Sequence, residues 1–390
     1  MSIDYKETLE HLHTTGRLRQ LRPLAERNGC RVTYRGRSFL NLTSNDYLGL
    51  AGNARLLRRF YSSRDDENLF DRFGLGAASS RLLTGDIETA HQLEETLTRE
   101  YGRPAALLFN SGYHANIGIL PALLDKDDLV LSDKLNHASI HDGMQLCRAQ
   151  HKRYRHCDYD HLQEILEKSR ERYGRVVIVS ESVFSMDGDV ADLQRLVELK
   201  KKYDALLYVD EAHAVGLYGA RGLGQAEEQG VINEVDLLMG TFGKAYASIG
   251  AFVLCEADIR DYLINHSRSL IFTTALPPVV IHWNLFIFKE VLQMHDQREH
   301  LAGIAEKLRR ALTENGLVTG GSTNIVPVMI GDNQKAVDLA EKMQDEGYLI
   351  FPVRPPTVPV GTARFRISLS ADMLWQDLEK LACRIAAHLH

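Results

Sequence analysis

From residue 105 to residue 254 the chain repeats one pattern, a short apolar run followed by a stretch with helical spacing. The runs are Ala105–Phe109, Leu129–Ser132, Arg175–Ser180, Leu206–Asp210, Asp236–Met239 and Gly250–Leu254. Runs so short and so continuously apolar fit strands buried on both faces. Between them, Asp192–Tyr203 shows what the helical stretches look like: Leu193, Leu196 and Val197 fall at i, i+3 and i+4. Asp192 is the N-cap, and the lysines of the last turn suit the helix dipole. Strand–helix alternation of this kind predicts an α/β fold built on a mostly parallel central sheet with both faces covered.

The last hundred residues carry a different pattern. A strand is expected at Asn324–Ile330, a helix from Gln334 to about Glu346, and an extended stretch at Tyr348–Val353. After a Pro-rich turn, Phe365, Ile367 and Leu369 alternate with Arg364, Arg366 and Ser368, a strand period that puts both arginines on one face. A final helix is expected to bury Leu374, Leu378, Leu381, Ile385 and Leu389. The expected organisation is an arm over residues 1–45, a large domain over 46–290 and a smaller C-terminal α+β domain over 291–390, joined by helix from about Val279 to Leu317.

Charge and composition narrow the function. With 46 Lys+Arg against 52 Asp+Glu the net charge is −6, so no nucleic acid partner is expected. At 44% hydrophobic and 25% charged the chain has an ordinary globular composition. The apolar stretch Leu276–Phe288 holds two prolines and is too short to span a bilayer, and Met1–Gln20 has no apolar core that would mark a signal peptide. The cysteines are odd in number, five, with no CxxC pair, which fits a reducing compartment. A cytoplasmic enzyme is expected.

Chemistry gathers where apolar runs end. Tyr208-Val209-Asp210-Glu211-Ala212-His213 puts a carboxylate and an imidazole at the carboxyl end of a buried strand, where α/β sheets bind ligands. The letters DEAH also spell a helicase box, but no GxxxxGK[ST] loop accompanies them. No third ligand stands at a zinc spacing, so no metal site is expected. Taken alone, Asp210 could be a plain helix cap. Gly240-Thr241-Phe242-Gly243-Lys244 follows another run and sets a lysine among small residues, where a desolvated amine can act as nucleophile or hold a Schiff base. A lone lysine is more often a solvated charge, but a lysine as imine partner and an aspartate facing a pyridinium nitrogen are the two groups that pyridoxal phosphate requires. Asn110-Ser111-Gly112-Tyr113-His114 between strand and helix could approach a phosphate, Asn136-His137 could bring an imidazole over a flat ring, and Glu181 to Gly188 forms a turn after a strand. Each of these is also a common helix start or turn. Gly74-Leu75-Gly76 lacks the third glycine of a dinucleotide fingerprint.

Together these segments resemble the α-oxoamine synthases, pyridoxal-phosphate enzymes of fold type I, the aminotransferase-like architecture. The resemblance runs from about Arg19 to Leu389 on Ser44–Leu50, Ser79–Gly85, Asn136–Ser139, Phe184–Gly188, Asp210–His213 and Thr241–Lys244. Arg354–Pro359 with Gly361–Arg366 is most similar to the branch of the family that serves biotin synthesis.

The resemblance implies that Lys244 binds the cofactor and abstracts the α-proton, that Asp210 pairs with the ring nitrogen, and that His137 stacks on the ring and meets the acyl carbonyl. It implies that Ser185 and His213 reach the ring hydroxyl, and that Gly112, Tyr113 and Thr241 hold cofactor and phosphate, with Thr273 and Thr274 supplied by the second subunit of a homodimer that shares its active sites. Asn45 and Arg366 would hold the amino-acid carboxylate, and Arg19, Arg354 and Thr357 would line the acyl channel. The implied reaction is a decarboxylative Claisen condensation of an amino acid, L-alanine in this branch, with a pimeloyl thioester of coenzyme A or acyl-carrier protein. Alternatives are glycine with acetyl or succinyl thioesters, serine with palmitoyl, an aminotransferase, or a non-catalytic homologue, which would be expected to have lost Lys244 or Asp210. Two stretches depart from the family pattern: Ala245–Gly250 replaces a more glycine-rich segment, and Ala77-Ala78 stands where Gly or Ser is common.

Overall fold

The computed structural model describes residues 4–62 and 69–389, so the first three residues of the expected arm lie outside it. The chain forms two compact units, Ala54–Phe184 with Val190–His295, and Met1–Asn53 with Ser185–Asp189 and Asp296–His390.

Seven strands make the sheet of the larger unit: β4 (Ala105–Phe109), β5 (Leu129–Asp133), β6 (Gln150–Tyr154), β7 (Val176–Glu181), β8 (Leu206–Asp210), β9 (Leu237–Thr241) and β10 (Ala251–Cys255). Their order is β4-β10-β9-β8-β7-β5-β6. Only β10 runs against its neighbours; every other pairing in this sheet is parallel. The six strands expected from the apolar runs are all present. β6 was not expected, because four of its five residues are exposed and its letters, Gln-His-Lys-Arg-Tyr, carry no apolar run. It is one edge of the sheet, opposite β4, and its charge discourages further pairing.

The helices behave as their patterns require. In Leu193–Lys202 the Asp192 side chain accepts from the Arg195 N–H, Leu193, Leu196 and Val197 are buried, and three lysines close the last turn. One core cluster unites Val130, Val177, Val179, Met239 and Val253 of the sheet with Ala115, Ile119 and Ile140 of the helices over it. Among the described residues no helix is long and apolar enough to cross a membrane.

The smaller unit holds two sheets. β1 (Arg27–Asn28), β2 (Arg31–Tyr34), β3 (Arg37–Asn41) and β12 (Tyr348–Leu349) form one, and β11 (Ile325–Gly331), β14 (Ala363–Ser368) and β13 (Pro352–Val353) the other. Residues of the expected arm therefore belong to this unit: β3 pairs parallel with β12, and Val32, Tyr34 and Phe39 pack on Leu349. The helical stretch expected between Val279 and Leu317 is two helices, Pro278–Val291 and His295–Glu314, and the units part after the first residue of the second. The last helix is also divided, into Trp375–Leu378 and Leu381–Leu389. Leu378, Leu381 and Ile385 are buried as expected, but Leu374 is 56% exposed, because it caps the first of these helices instead of lying on its inner face.

Candidate active site

Because β4, β5, β7, β8 and β9 all run the same way, the residues after their carboxyl ends collect along one edge of the sheet, the usual ligand edge of an open α/β sheet. Asp210 ends β8 and is 4% exposed. Its Oδ1 accepts from the Ala212 N–H at 2.9 Å and its Oδ2 from Asn116 Nδ2 at 2.9 Å. Two donors of this kind suit an ionised carboxylate. After β9 the chain turns tightly: Thr241 Oγ1 donates to the Gly250 carbonyl at 3.0 Å and accepts from the Gly243 N–H at 3.1 Å. That turn carries Lys244, whose Nζ lies 2.9 Å from Nε2 of the buried His213.

His137 is the N-cap of the Ala138–Leu146 helix. The residue as a whole is exposed, yet crowding around its ring desolvates the imidazole and lowers its pKa; Lys244 acts in the same direction and Asp210 opposes. Its Nδ1 lies 2.7 Å from Ser139 Oγ and accepts the Ser139 N–H at 3.2 Å. Gly112 opens the Gly112–Leu123 helix behind the N-cap Ser111, and Tyr113 donates its hydroxyl to Asp142 at 2.8 Å. Thr273 and Thr274 stand beside Asn110 of the same chain, whose Nδ2 donates to the Thr274 carbonyl at 2.7 Å.

Two buried acids adjoin this cluster. Glu181 ends β7 in register with Asp210, and its Oε1 has no hydrogen-bond partner among the described residues. Burial pushes its carboxyl well above the usual range, Asp210 adds to this, and Lys244 with the His137 backbone opposes. Glu211 is raised to about 7, also by burial, against donors from Ser182, Ala226 and Gln225. On the far side of β5, Asp133, His156 and Cys157 bring potential ligand atoms within 4.8 Å of one another. The Asp133 oxygens there accept from the Leu135 and Cys157 N–H groups and from His156, which ties the turn together.

In the smaller unit, Arg366 on β14 donates to Tyr47 Oη at 3.0 Å, to Ser368 Oγ at 2.7 Å and to the Ser185 carbonyl. Tyr47 in turn donates to Asn45 Oδ1 at 3.1 Å. Arg364, on the same face, reaches Asp187. Arg19 donates to Thr357 Oγ1 at 2.9 Å and Arg354 to the Gly16 carbonyl. Arg19, Arg354 and Thr357 line a cavity of about 370 Å³ with Arg17, Arg22 and Met186. Its lining holds four arginines and no carboxylate. Burial lowers the Arg354 pKa, and the charges of Arg22 and Arg19 add to that effect.

Within the larger unit the structure brings Lys244 and His213 into contact and joins Asp210 to His137 through Asn116 and Ser139. Within the smaller unit it joins Ser185, Asn45 and Arg366 in one group and Arg19, Arg354 and Thr357 in another. Sequence reading gave no role to Asn116, Tyr47 or Glu181. The signals for Glu181 and Tyr47 were the end of a buried run and a place within Ser44–Leu50; Asn116 left only a polar letter within an apolar stretch.

This donor set fits pyridoxal phosphate. It offers an amine for the aldehyde, a buried carboxylate for the ring nitrogen, and beside them a buried acid oxygen with no partner among the described residues. The comparisons agree. The model of aminotransferase class I and II matches residues 37–385. An 8-amino-7-oxononanoate synthase of Chlorobaculum parvum is 50% identical over 373 residues, 96% of this chain and 95% of the relative. A serine palmitoyltransferase of S. paucimobilis, solved with a pyridoxal phosphate–myriocin adduct, superposes with a TM-score of 0.88 at 29% identity, covering 98% of this chain and 96% of that one. The 8-amino-7-oxononanoate synthase of Francisella tularensis gives 0.77 at 27% identity, covering 90% and 98%. On the aspartate that ends β8 and the lysine in the turn after β9, and on likeness along nearly its whole length, this chain belongs to the aminotransferase class I and II family and, within it, to the α-oxoamine synthases.

Proposed function

We propose that the chain condenses L-alanine with a pimeloyl thioester, releasing CO₂ and the carrier thiol and giving 8-amino-7-oxononanoate for biotin synthesis. The observation that carries this reading is the near-complete likeness, at 47–50% identity, to relatives named for that synthase. The chain is a pyridoxal-phosphate-dependent acyltransferase. When bound, the cofactor supplies an electron sink for the α-carbon of the amino acid.

The residues of the chain do the rest. Lys244 anchors the cofactor, takes the α-proton of the amino acid and later returns a proton to the same carbon. Asp210 presents its carboxylate to the ring nitrogen, and Ser185 and His213 address the ring hydroxyl. Gly112, Tyr113 and Thr241 hold the phosphate end, with Thr273 and Thr274 of a second copy of this chain. Asn45 and Arg366 clasp the amino-acid carboxylate, for which an arginine fork is well shaped. Arg19, Arg354 and Thr357 receive the far carboxylate of the acyl chain. His137 lies over the ring and donates to the acyl carbonyl. A bond then forms between the α-carbon and the thioester carbonyl, the C–S bond breaks, the thiolate takes a proton, and CO₂ leaves from the amino-acid carboxylate. We place the enzyme in the cytoplasm as a homodimer, with coenzyme A or a carrier protein as donor.

The serine palmitoyltransferase neighbours favour a second reading, serine with a long-chain thioester. The four-arginine cavity speaks against it, since an alkyl tail offers those guanidiniums nothing to bind. The holoenzyme should be assayed by product mass and CO₂ release with L-alanine, glycine and L-serine, each against pimeloyl-, acetyl- and palmitoyl-coenzyme A. Turnover with L-alanine and pimeloyl-coenzyme A, abolished in Lys244→Ala, is expected. Faster turnover of another pair would reassign the substrates, and no product from any pair would overturn the reading.

A further inference from the structure

Asn116 lies in the second turn of the Gly112–Leu123 helix and is 1% exposed. Its Nδ2 donates to Asp210 Oδ2 and to Ser139 Oγ, each at 2.9 Å, and its Oδ1 accepts the Tyr208 hydroxyl at 2.5 Å. A carboxylate can only accept, so the amide has one workable orientation, with nitrogen toward Asp210. Ser139 Oγ accepts from Asn116, so its own proton is directed to His137 Nδ1, 2.7 Å away. The Ser139 N–H points at the same nitrogen. With two donors converging on Nδ1, the ring proton of neutral His137 belongs on Nε2.

We infer that Asn116 is a positioning residue that holds two groups at once: it orients the Asp210 carboxylate and, through Ser139, fixes the Nε2–H tautomer of His137. The inference rests on the proposed roles of Asp210 and His137 at the cofactor ring. It explains why a polar amide is kept within an apolar helix, where an unpartnered amide would be costly. It also gives His137 a fixed donor, as its proposed contact with the acyl carbonyl requires, and couples that donor to the carboxylate at the ring nitrogen.

The test reads the imidazole directly, in cofactor-free protein, by long-range nitrogen–proton NMR, with His137→Asn assigning the signal. Wild-type protein should show the Nε2–H tautomer. In Asn116→Ala the tautomers should mix. In Asn116→Asp the Ser139 hydroxyl should turn to the new carboxylate, and the His137 titration should move upward. Ser139→Ala cuts only the His137 arm and should reproduce the tautomer change. In the holoenzyme, the pH dependence of the cofactor absorbance should then shift in Asn116→Ala but stay as in wild type in Ser139→Ala. If the Asn116 variants do not fold, as judged by circular dichroism, Ser139→Ala still decides the His137 arm. A wild-type tautomer and titration in every folded variant would overturn the inference. A tautomer change in protein that fails to bind pyridoxal phosphate would instead count against the proposed function and leave the relay standing.

Discussion

Ala78 and Ala247 sit at φ +51° and +50°, in the left-handed region where a Cβ is strained. They fall in the two stretches that depart from the small, glycine-rich family pattern, so the departure has a local cost. The strain is about 1–2 kcal/mol per residue; glycine relieves it but loses about 0.4–1 kcal/mol of that gain, because it enlarges the entropy of the unfolded chain. Ala247→Gly should therefore raise unfolding free energy by up to about 1 kcal/mol, measured by denaturant titration; a lowered midpoint would show that the alanine methyl makes compensating contacts. A second residue-scale effect concerns pH. The Glu211 carboxyl is raised to about 7 from 4.5 by burial, so the folded state holds its proton more tightly than the unfolded state does. Its contribution to stability is full below pH 4.5 and is lost as pH rises toward 7, by roughly 3 kcal/mol at about 1.4 per unit. Unfolding titrations of wild type and Glu211→Gln at pH 5 and pH 8 should show their difference in stability shrinking or reversing at the higher pH. A difference independent of pH would mean that the Ser182 and backbone donors hold Glu211 ionised throughout. At this scale Lys244 and Asp210 were legible because each follows a buried run. Asn116 was not, because its partners Ser139, Tyr208 and Asp210 stand 23, 92 and 94 residues away in sequence.

Elements were legible wherever burial is continuous. β8 begins and ends at its apolar run, since both faces of a central parallel strand are covered and every letter reports it. β6 escaped because an edge strand with a wet side carries mixed letters, and β1 because a two-residue strand has no period to detect. The approach of two helices was equally hidden, although a glycine marks it. A Cβ on Gly143 of the Ala138–Leu146 helix would lie 2.4 Å from the Asn116 carbonyl oxygen, so the absence of a side chain lets this helix lie against Gly112–Leu123. Backbone offers no flexible end that could move aside. Gly143→Ala should cost about 1–3 kcal/mol of stability, the range for overpacking, and should disturb the Asn116–Ser139 hydrogen bond that crosses this contact. Calorimetry checks the first effect and the His137 imidazole spectrum the second. Wild-type values in both would mean that the helices separate without cost.

At the scale of the molecule, the chain passes between its two units after Asn53, Phe184, Asp189 and His295, so neither unit is a continuous stretch. A linear division at 45 and 290, read from pattern along the chain, has no way to register this interleaving, in which Asp296–His390 groups with the segments that end at Asn53 and Asp189. The interleaving also sorts the candidate residues into two sets. Lys244, Asp210, His137, His213, Thr241, Gly112 and Tyr113 lie in the larger unit, and Arg366, Asn45, Arg19, Arg354, Thr357 and Ser185 in the smaller. Cofactor retention and amino-acid affinity should thus be separable by mutation. Arg366→Ala removes a guanidinium held by Tyr47, Ser368 and the Ser185 carbonyl. A charge-assisted contact to the amino-acid carboxylate is worth about 1.5–3 kcal/mol, roughly 10- to 100-fold in affinity. The KM for L-alanine should rise by about that factor, while the visible cofactor band at saturating pyridoxal phosphate stays at wild-type intensity. Tyr47→Phe, which removes one acceptor from the guanidinium, should shift KM in the same direction by less. Loss of the cofactor band in Arg366→Ala with an unchanged KM would reverse the assignment and make β14 part of the cofactor's support.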